Sequence, residues 1–229
     1  MNKNAVILLS GGLDSTVSLA KAKENYDIKL ALFFDYGQKS FKQEKLSAQN
    51  IAEYYGIKFK VIKLNWLKKI TNTSLVNQNN NVPKLSKDDL CDLDVTEASM
   101  KNVWVPNRNA LFINIAAAFC DSYEYDTIII GANKEEAATF SDNSEKFIKA
   151  INNTLIYSAL NKPQVVAPLI NMEKEAIIKL GYELNVPFEK IRSCYESAEK
   201  HCGKCESCMR LKRGLERLGL SDILKLLFE

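Results

Sequence analysis

Ala5-Val6-Ile7-Leu8-Leu9-Ser10-Gly11-Gly12-Leu13-Asp14-Ser15-Thr16-Val17-Ser18 joins an apolar run to a glycine pair and then to helix-like spacing. Ala5 to Leu9 carry no polar alternation, the pattern of a strand buried on both faces and hence of a parallel sheet. Leu13, Val17 and Ala20 recur at helical spacing, so a helix is expected to begin inside the motif. Asp14, Ser15 and Thr16 put acceptor side chains into its opening turn, where free backbone N–H groups need partners. Two glycines let the chain turn tightly and come close to a ligand, and the N–H groups with the helix dipole favour an anion such as phosphate. An ordinary strand-to-helix turn uses the same residues. No Gly-Lys-Ser/Thr follows, so this is not a Walker loop, and the three-glycine dinucleotide spacing is absent.

Working outward, strand-like and helix-like segments alternate, which argues for βαβ units and an α/β fold with an open parallel sheet. Leu30–Phe34 reads as a second buried strand ending at Asp35-Tyr36-Gly37-Gln38. A helix follows with Ala48, Ile51, Ala52 and Tyr55 on one face, and Phe59 to Leu64 reads as a third strand. From Thr71 to about Met100 periodicity fails, and a long polar loop is expected. Beyond Val105-Pro106-Asn107-Arg108-Asn109 a helix apolar nearly all round is expected to be buried. Thr127–Ile130 reads as the next strand, ending at Gly131-Ala132-Asn133. Helical stretches follow around Ser144–Leu160 and Glu173–Leu180, separated by Val165–Leu169. Ligands in open parallel sheets bind at the carboxyl ends of the strands, so the three strand ends are expected to line one crevice.

With 229 residues, 46% of them hydrophobic, the chain can bury a substantial core. A net charge of +3 gives no reason to expect a nucleic-acid footprint. No secretion signal or membrane-length apolar run is evident, so a cytoplasmic enzyme is expected. Arginine accounts for only five of 31 basic residues. Arg108, at the mouth of an apolar helix, is therefore a candidate for holding a carboxylate or phosphate, with capping of neighbouring carbonyls as the plain alternative.

Four of the six cysteines fall in Cys194-x7-Cys202-x2-Cys205-x2-Cys208. Four soft donors at that density suit a closed tetrahedral zinc site. An iron–sulfur cluster competes, but its run would need a Cys-Pro where this chain has Met209-Arg210-Leu211. His201 is expected at the surface, Cys91 and Cys120 have no partner pattern, and Cys120 reads as core. Arg210, Arg213 and Arg217 share one helical face, which reads as solvated. The division expected is an α/β domain over 1–190 and a cysteine-bearing helical tail over 191–229.

The Ser-Gly-Gly-x-Asp-Ser loop resembles that of the N-type ATP pyrophosphatases, whose adenine-nucleotide alpha hydrolase-like core adenylates a substrate and releases pyrophosphate. Asp35-Tyr36-Gly37-Gln38, Trp104-Val105-Pro106-Asn107-Arg108-Asn109 and Ser193-Cys194-Tyr195 with Cys202-Gly203-Lys204-Cys205-Glu206-Ser207-Cys208 resemble, in order, motifs of the 7-cyano-7-deazaguanine synthase family of queuosine biosynthesis. The likeness runs from the first strand to the last helix. It implies ATP along Leu8 to Ser18, and conversion of 7-carboxy-7-deazaguanine and ammonia to the nitrile through an adenylated acid. It also implies Mg²⁺ with the ATP, a structural zinc on the four cysteines, no membrane or direct nucleic-acid partner, and room for a homodimer. Asp14 is then expected as helix cap and Mg²⁺ ligand, with Arg108 or Lys174 neutralising phosphate charge. Asp35, Tyr36, Gln38 and Asn109 are further expected site residues.

In one place the chain departs from the family pattern. Most members carry Tyr-Pro-Asp-Cys-Arg where this sequence has Phe140-Ser141-Asp142-Asn143-Ser144. Phe140 is expected to stack on the deazapurine and Asp142 to accept from its ring N–H and amine. Two alternatives stay open at this point: a tRNA sulfur transferase or another amide-forming ligase on the same ATPase core, and a non-catalytic zinc module.

Overall fold

In the computed structural model residues 3–229 are described, apart from the side chains of Cys91 and Leu93, so the expectation for Cys91 falls outside the described residues. Strands β1 (Lys3–Leu8), β2 (Tyr26–Asp35), β3 (Lys58–Lys63), β4 (Thr127–Ile129) and β5 (Gln164–Val166) form one sheet in the order β3-β2-β1-β4-β5. Every pairing is parallel. The chain winds outward from β1 to β3, then crosses back to β4 and out to β5, so the order reverses beside β1. Its carboxyl end is thus the switch point where such sheets open a crevice.

Successive β1 side chains point to opposite faces. Ala5 and Ile7 enter a core shared with Leu13, Val17 and Ile177, while Val6 faces one that holds Leu32, Ile113 and Ile128. Both faces are dry, which explains the unalternating run. The first face is covered by α1 (Leu13–Ala22), α2 (Phe41–Tyr54), α8 (Lys174–Glu183), α9 (Glu206–Arg217) and α10 (Ser221–Phe228); the second by α5 (Arg108–Tyr123) and α7 (Glu145–Ser158). Short helices α3 (Asn65–Ile70), α4 (Leu93–Val103) and α6 (Lys134–Ala137) complete the chain.

Two expectations need correction. The 71–100 region is not a plain loop: it holds a 3₁₀ turn at Asp88–Cys91 and most of α4, whose N-cap Asp92 accepts from the amides of Asp94 and Val95 at 2.9 and 3.2 Å. Periodicity fails here because the described buried positions of α4, Thr96, Ser99 and Val103, are mostly polar, and because Leu75, Val76 and Val82 are buried by partners remote in sequence. Nor is α5 buried all round. Ile113, Ala116, Ala117 and Cys120 face the sheet, while Asn114 and Ala118 are exposed.

The two glycines of the motif differ. Gly11 has φ +81°, and a Cβ there would lie 2.7 Å from the Ala48 amide nitrogen and the Ser47 Oγ. At Gly12, with φ −79°, an added Cβ meets nothing closer than 3.5 Å. Gly11→Ala is therefore expected to destabilise by about 2–3 kcal/mol through left-handed backbone and steric conflict. Gly12→Ala is expected to stay within about 0.5 kcal/mol. Urea unfolding followed by circular dichroism checks both.

Candidate active site

The glycine turn is clamped from two sides. Gly11 O accepts from the Arg192 amide at 2.7 Å and from Ser47 Oγ at 2.8 Å, tying the turn to the tail arm and to α2. Gly12, not Asp14, is the N-cap of α1, and Ser15 and Thr16 hydroxyls donate back to Gly12 O at 3.2 and 2.7 Å instead of capping amides. The Leu13 amide donates to Ser193 Oγ at 3.1 Å.

In front of the turn lies a cavity of about 250 Å³. Leu8, Leu9, Ser10, Gly12, Asp14 and Ser15 line one wall; Tyr36, Gln38, Arg108, Asn109 and Phe140 line others. All three strand ends contribute, through Ser10 and Gly12, Tyr36, and Gly131 and Ala132. Gly11, Leu13, Thr16, Val17 and Ser18 are buried outside that lining and support the turn. Asp35, Asp142 and Lys174 are also outside it. Asp35 accepts from the Gly37 amide at 3.1 Å, and Asp142 accepts from Asn143 Nδ2 at 3.3 Å. Asn143, its neighbour, is the one that reaches the cavity, and Ser144 caps α7 by accepting from the Phe147 amide at 3.2 Å. Sequence reading missed Ser40, Glu44, Phe112, Glu136, Asn143, Arg192, Ser193 and Tyr195 as cavity residues. Only the Tyr195 and Ser193 motif neighbours gave a signal, through their place beside Cys194.

Arg108 is aimed by Asn107, which sits at φ +53° as the N-cap of α5. Its Nη1 donates to Tyr36 Oη at 3.4 Å, and the guanidinium lies 5.9 Å from the Tyr36 ring centroid. Burial pushes the Tyr36 hydroxyl above its ordinary pKa despite the nearby Arg108 charge.

Behind Asp14 runs a chain of buried charges. Lys174 Nζ donates to both Asp14 oxygens at 2.9 and 2.8 Å and to Glu136 at 3.2 Å, with the lysine side chain 6% exposed. The Lys174 amide donates to Glu135 at 3.1 Å; Glu135 also takes Arg210 and, at 2.7 Å, Arg213. Arg210 Nη2 then reaches Glu206 at 2.8 Å, and Glu206 accepts from Ser99 Oγ at 2.6 Å. Arg210 is thus buried and internally paired, which corrects the reading of this helical face as solvated. The two carboxylates on Lys174 keep its ammonium charged, overriding the burial that would discharge it.

The four cysteine sulfurs lie within 4.8 Å of one another, and Cys202 and Cys208 Sγ are 3.9 Å apart. Tetrahedral ligation with metal–sulfur bonds of about 2.3 Å requires sulfurs at close to that spacing. Amides of Glu196 and Cys202 donate to Cys194 Sγ at 3.4 and 3.3 Å, and those of Lys204 and Cys205 to Cys202 Sγ at 3.4 and 3.3 Å, the arrangement that stabilises thiolates. His201 is buried, not at the surface; its Nε2 accepts from the Ser193 amide at 3.1 Å, and burial, with Arg192 nearby, lowers its pKa to about 4. Tyr195 packs against this cluster and lines the cavity, so the cysteine cluster and the cavity share a wall.

The family model described as "Queuosine biosynthesis protein QueC" matches residues 4–219. The chain belongs to that family. Among relatives of this QueC-family chain, the 7-cyano-7-deazaguanine synthase of Carboxydothermus hydrogenoformans is 51% identical over 92% of this chain and 97% of its own. Those of Pelotomaculum thermopropionicum and Methanobrevibacter smithii are 46% and 45% identical over 94% and 97% of this chain, covering 98% and 97% of their own. In fold the chain is similar to a 4-thiouridine synthetase solved with RNA and ATP, with TM-score 0.50 and 18% identity, covering 98% of this chain and 52% of that one.

Glu135 and Glu136 both lie below the ordinary carboxylate value of 4.5: burial opposes the shift, and Arg210 beside Glu135 and Lys174 beside Glu136 outweigh it. Between the lowered folded value and 4.5 the unfolded chain binds more protons, so this stability is present above about pH 4.5 and lost on acidification. Thermal melts between pH 5 and 3 are expected to show that loss, and Glu135→Gln to flatten it while costing about 3 kcal/mol at neutral pH.

Proposed function

We propose that this chain is an ATP-dependent carbon–nitrogen ligase that converts 7-carboxy-7-deazaguanine and ammonia to 7-cyano-7-deazaguanine in queuosine biosynthesis, in the cytoplasm. What carries the reading is the glycine turn opening on a cavity walled by Arg108, in a chain 51% identical to a 7-cyano-7-deazaguanine synthase over 92% of its length. A carboxylate is a poor electrophile. Transfer of AMP to its oxygen creates a leaving group that ammonia can displace, and a second adenylation of the amide leads to the nitrile.

The protein's share of this chemistry is positioning and charge neutralisation. The α1 N-terminus at Gly12 and Ser15 faces the cavity and suits phosphate, with Arg108 as the cation for the reacting carboxylate or the AMP phosphate. Mg²⁺ takes oxygen ligands, and Asp14 and Glu136, both on the cavity wall, would hold it; when bound it neutralises phosphate charge. Phe140, Tyr36 and Phe112 offer aromatic faces to a planar base, and Asn143, rather than the Asp142 expected from sequence, offers its polar edge a partner.

A sulfur transferase on the same core would want a reactive thiol at the cavity. Among the described residues no cysteine lines it, and burial pushes the Cys120 thiol up to about 12. This favours the ligase. The tail is read as a structural zinc site of Cys194, Cys202, Cys205 and Cys208, whose spacing fits a tetrahedral ion.

Incubation with ATP, ammonium and 7-carboxy-7-deazaguanine is expected to give the nitrile with AMP and pyrophosphate, read by mass spectrometry. ADP with phosphate would overturn cleavage between the α and β phosphates. Metal analysis is expected to find one zinc per chain, and Cys205→Ser to cost about 2–4 kcal/mol of stability while moving ATP affinity less than about threefold. Iron with sulfide would refute the zinc assignment.

A further inference from the structure

Three carboxylates line the cavity, and they are not equivalent. Asp14 and Glu136 share the Lys174 ammonium. Glu44, from the first turn of α2, also lines the cavity, yet among the described residues it forms no ion pair. Its two oxygens are held instead by neutral donors, Ser40 Oγ to Oε1 at 2.5 Å and Gln38 Nε2 to Oε2 at 3.1 Å. Gln38 is itself locked, since its Oε1 accepts from the Tyr36 amide at 3.1 Å and its Nε2 also donates to Phe34 O at 3.0 Å. The glutamate is therefore aimed by a rigid frame that leaves its charge uncompensated. An ionised carboxylate offers about four acceptor positions, and two are used.

A half-buried carboxylate that faces a cavity with no ion-pair partner in contact is costly unless a ligand completes it. Burial pushes the Glu44 carboxyl above its ordinary pKa; the hydrogen bonds from Ser40 and Gln38 and the more remote charges of Arg108 and Arg192 only partly offset this. Tyr36, whose hydroxyl also faces it, is raised chiefly by burial, with the Glu44 charge adding to the shift. The ligand called for is small, cationic and rich in N–H donors. Ammonia at neutral pH exists almost wholly as ammonium, which has those properties but has no lone pair with which to attack.

We propose that Glu44 is the catalytic residue that binds ammonium in the cavity and removes its proton, with Gln38 and Ser40 as positioning residues; this rests on the ammonia-dependent ligase reading above. In the step, one N–H bond of ammonium breaks and its proton forms an O–H bond on Glu44. The freed lone pair forms a C–N bond to the acyl carbon of the adenylate, and the C–O bond to AMP breaks with its electron pair leaving on the AMP oxygen. The surplus proton on nitrogen goes to the departing AMP phosphate, and Glu44 returns its own proton to water. The elevated pKa of a buried carboxyl narrows the gap to ammonium and so helps the transfer.

The test compares two nucleophiles on the full-length protein. Hydroxylamine is already neutral at pH 7 and needs no base before it attacks. In Glu44→Gln, ammonium-dependent AMP release is expected to fall about 100-fold or more, the scale of a lost general base, with a raised KM for ammonium. Hydroxylamine-dependent release, and acid-dependent ATP–pyrophosphate exchange without any amine, are expected to stay within about threefold. Equal losses with both nucleophiles, no loss with either, or loss of exchange would overturn the role. Should Glu44→Gln fail to fold, Ser40→Ala decides: it is expected to raise the KM for ammonium selectively, and an unselective effect or none would overturn the proposal. If the wild-type protein shows no ammonium-dependent turnover while still exchanging pyrophosphate, it is the ammonia reading itself that fails.

Discussion

A lysine ammonium sealed beside two carboxylates is the constraint on which the site depends. Lys174, Asp14 and Glu136 come from the start of α8, the first turn of α1 and the short helix after β4. Removing Lys174 leaves two carboxylates without their shared cation, a penalty of several kcal/mol, so the three segments must stay in register. That register sets the floor of the cavity. It also fixes the helix that opens behind the glycine turn, because Gly131 lies so close to Ser15 that a Cβ would approach its amide nitrogen to 2.9 Å.

The same chain of charges joins the tail to the sheet. Glu206 directly follows Cys205, and through Arg210 and Glu135 it reaches the Lys174 amide, while Ser99 anchors α4 to it from the other side. Leu211, Leu215 and Leu227 of the C-terminal helices lie in the same core as β1. The cysteine cluster is therefore packed beside the cavity: Ser193 Oγ accepts from the Leu13 amide at the start of α1, the Arg192 amide holds Gly11 O, and Tyr195 forms part of the cavity wall. The arm that supplies all three contacts carries Cys194, so the geometry of the cysteine cluster and that of the cavity are mechanically linked.

Much of this was legible in the amino-acid order because it rests on short-range rules. Ala5–Leu9 read as a doubly buried strand because only apolar side chains suit both faces of a covered sheet. Glycine pairs at strand ends and four cysteines within fifteen positions are local patterns whose chemistry hardly depends on the rest of the chain. They determined the parallel sheet, the glycine turn at its switch point and the cysteine cluster.

The tertiary structure alone decided which polar groups meet. Lys174 and Asp14 are 160 positions apart, and Ser99 and Glu206 are 107 apart, so neither pairing leaves any periodic trace. For the same reason α4 leaves only a weak apolar stripe in the sequence: of its described buried residues Thr96, Ser99 and Val103, two are polar. Arg210 and His201 look like solvent-facing residues by type, yet both are buried because partners arrive from elsewhere in the chain to satisfy them. Glu44 is the sharpest case, an ordinary first-turn glutamate in the sequence that becomes an uncompensated carboxylate only when the cavity closes around it. Local spacing determines what kind of element forms, whereas the cost of desolvating charge, summed over contacts distant in sequence, determines which side chains are left to do chemistry.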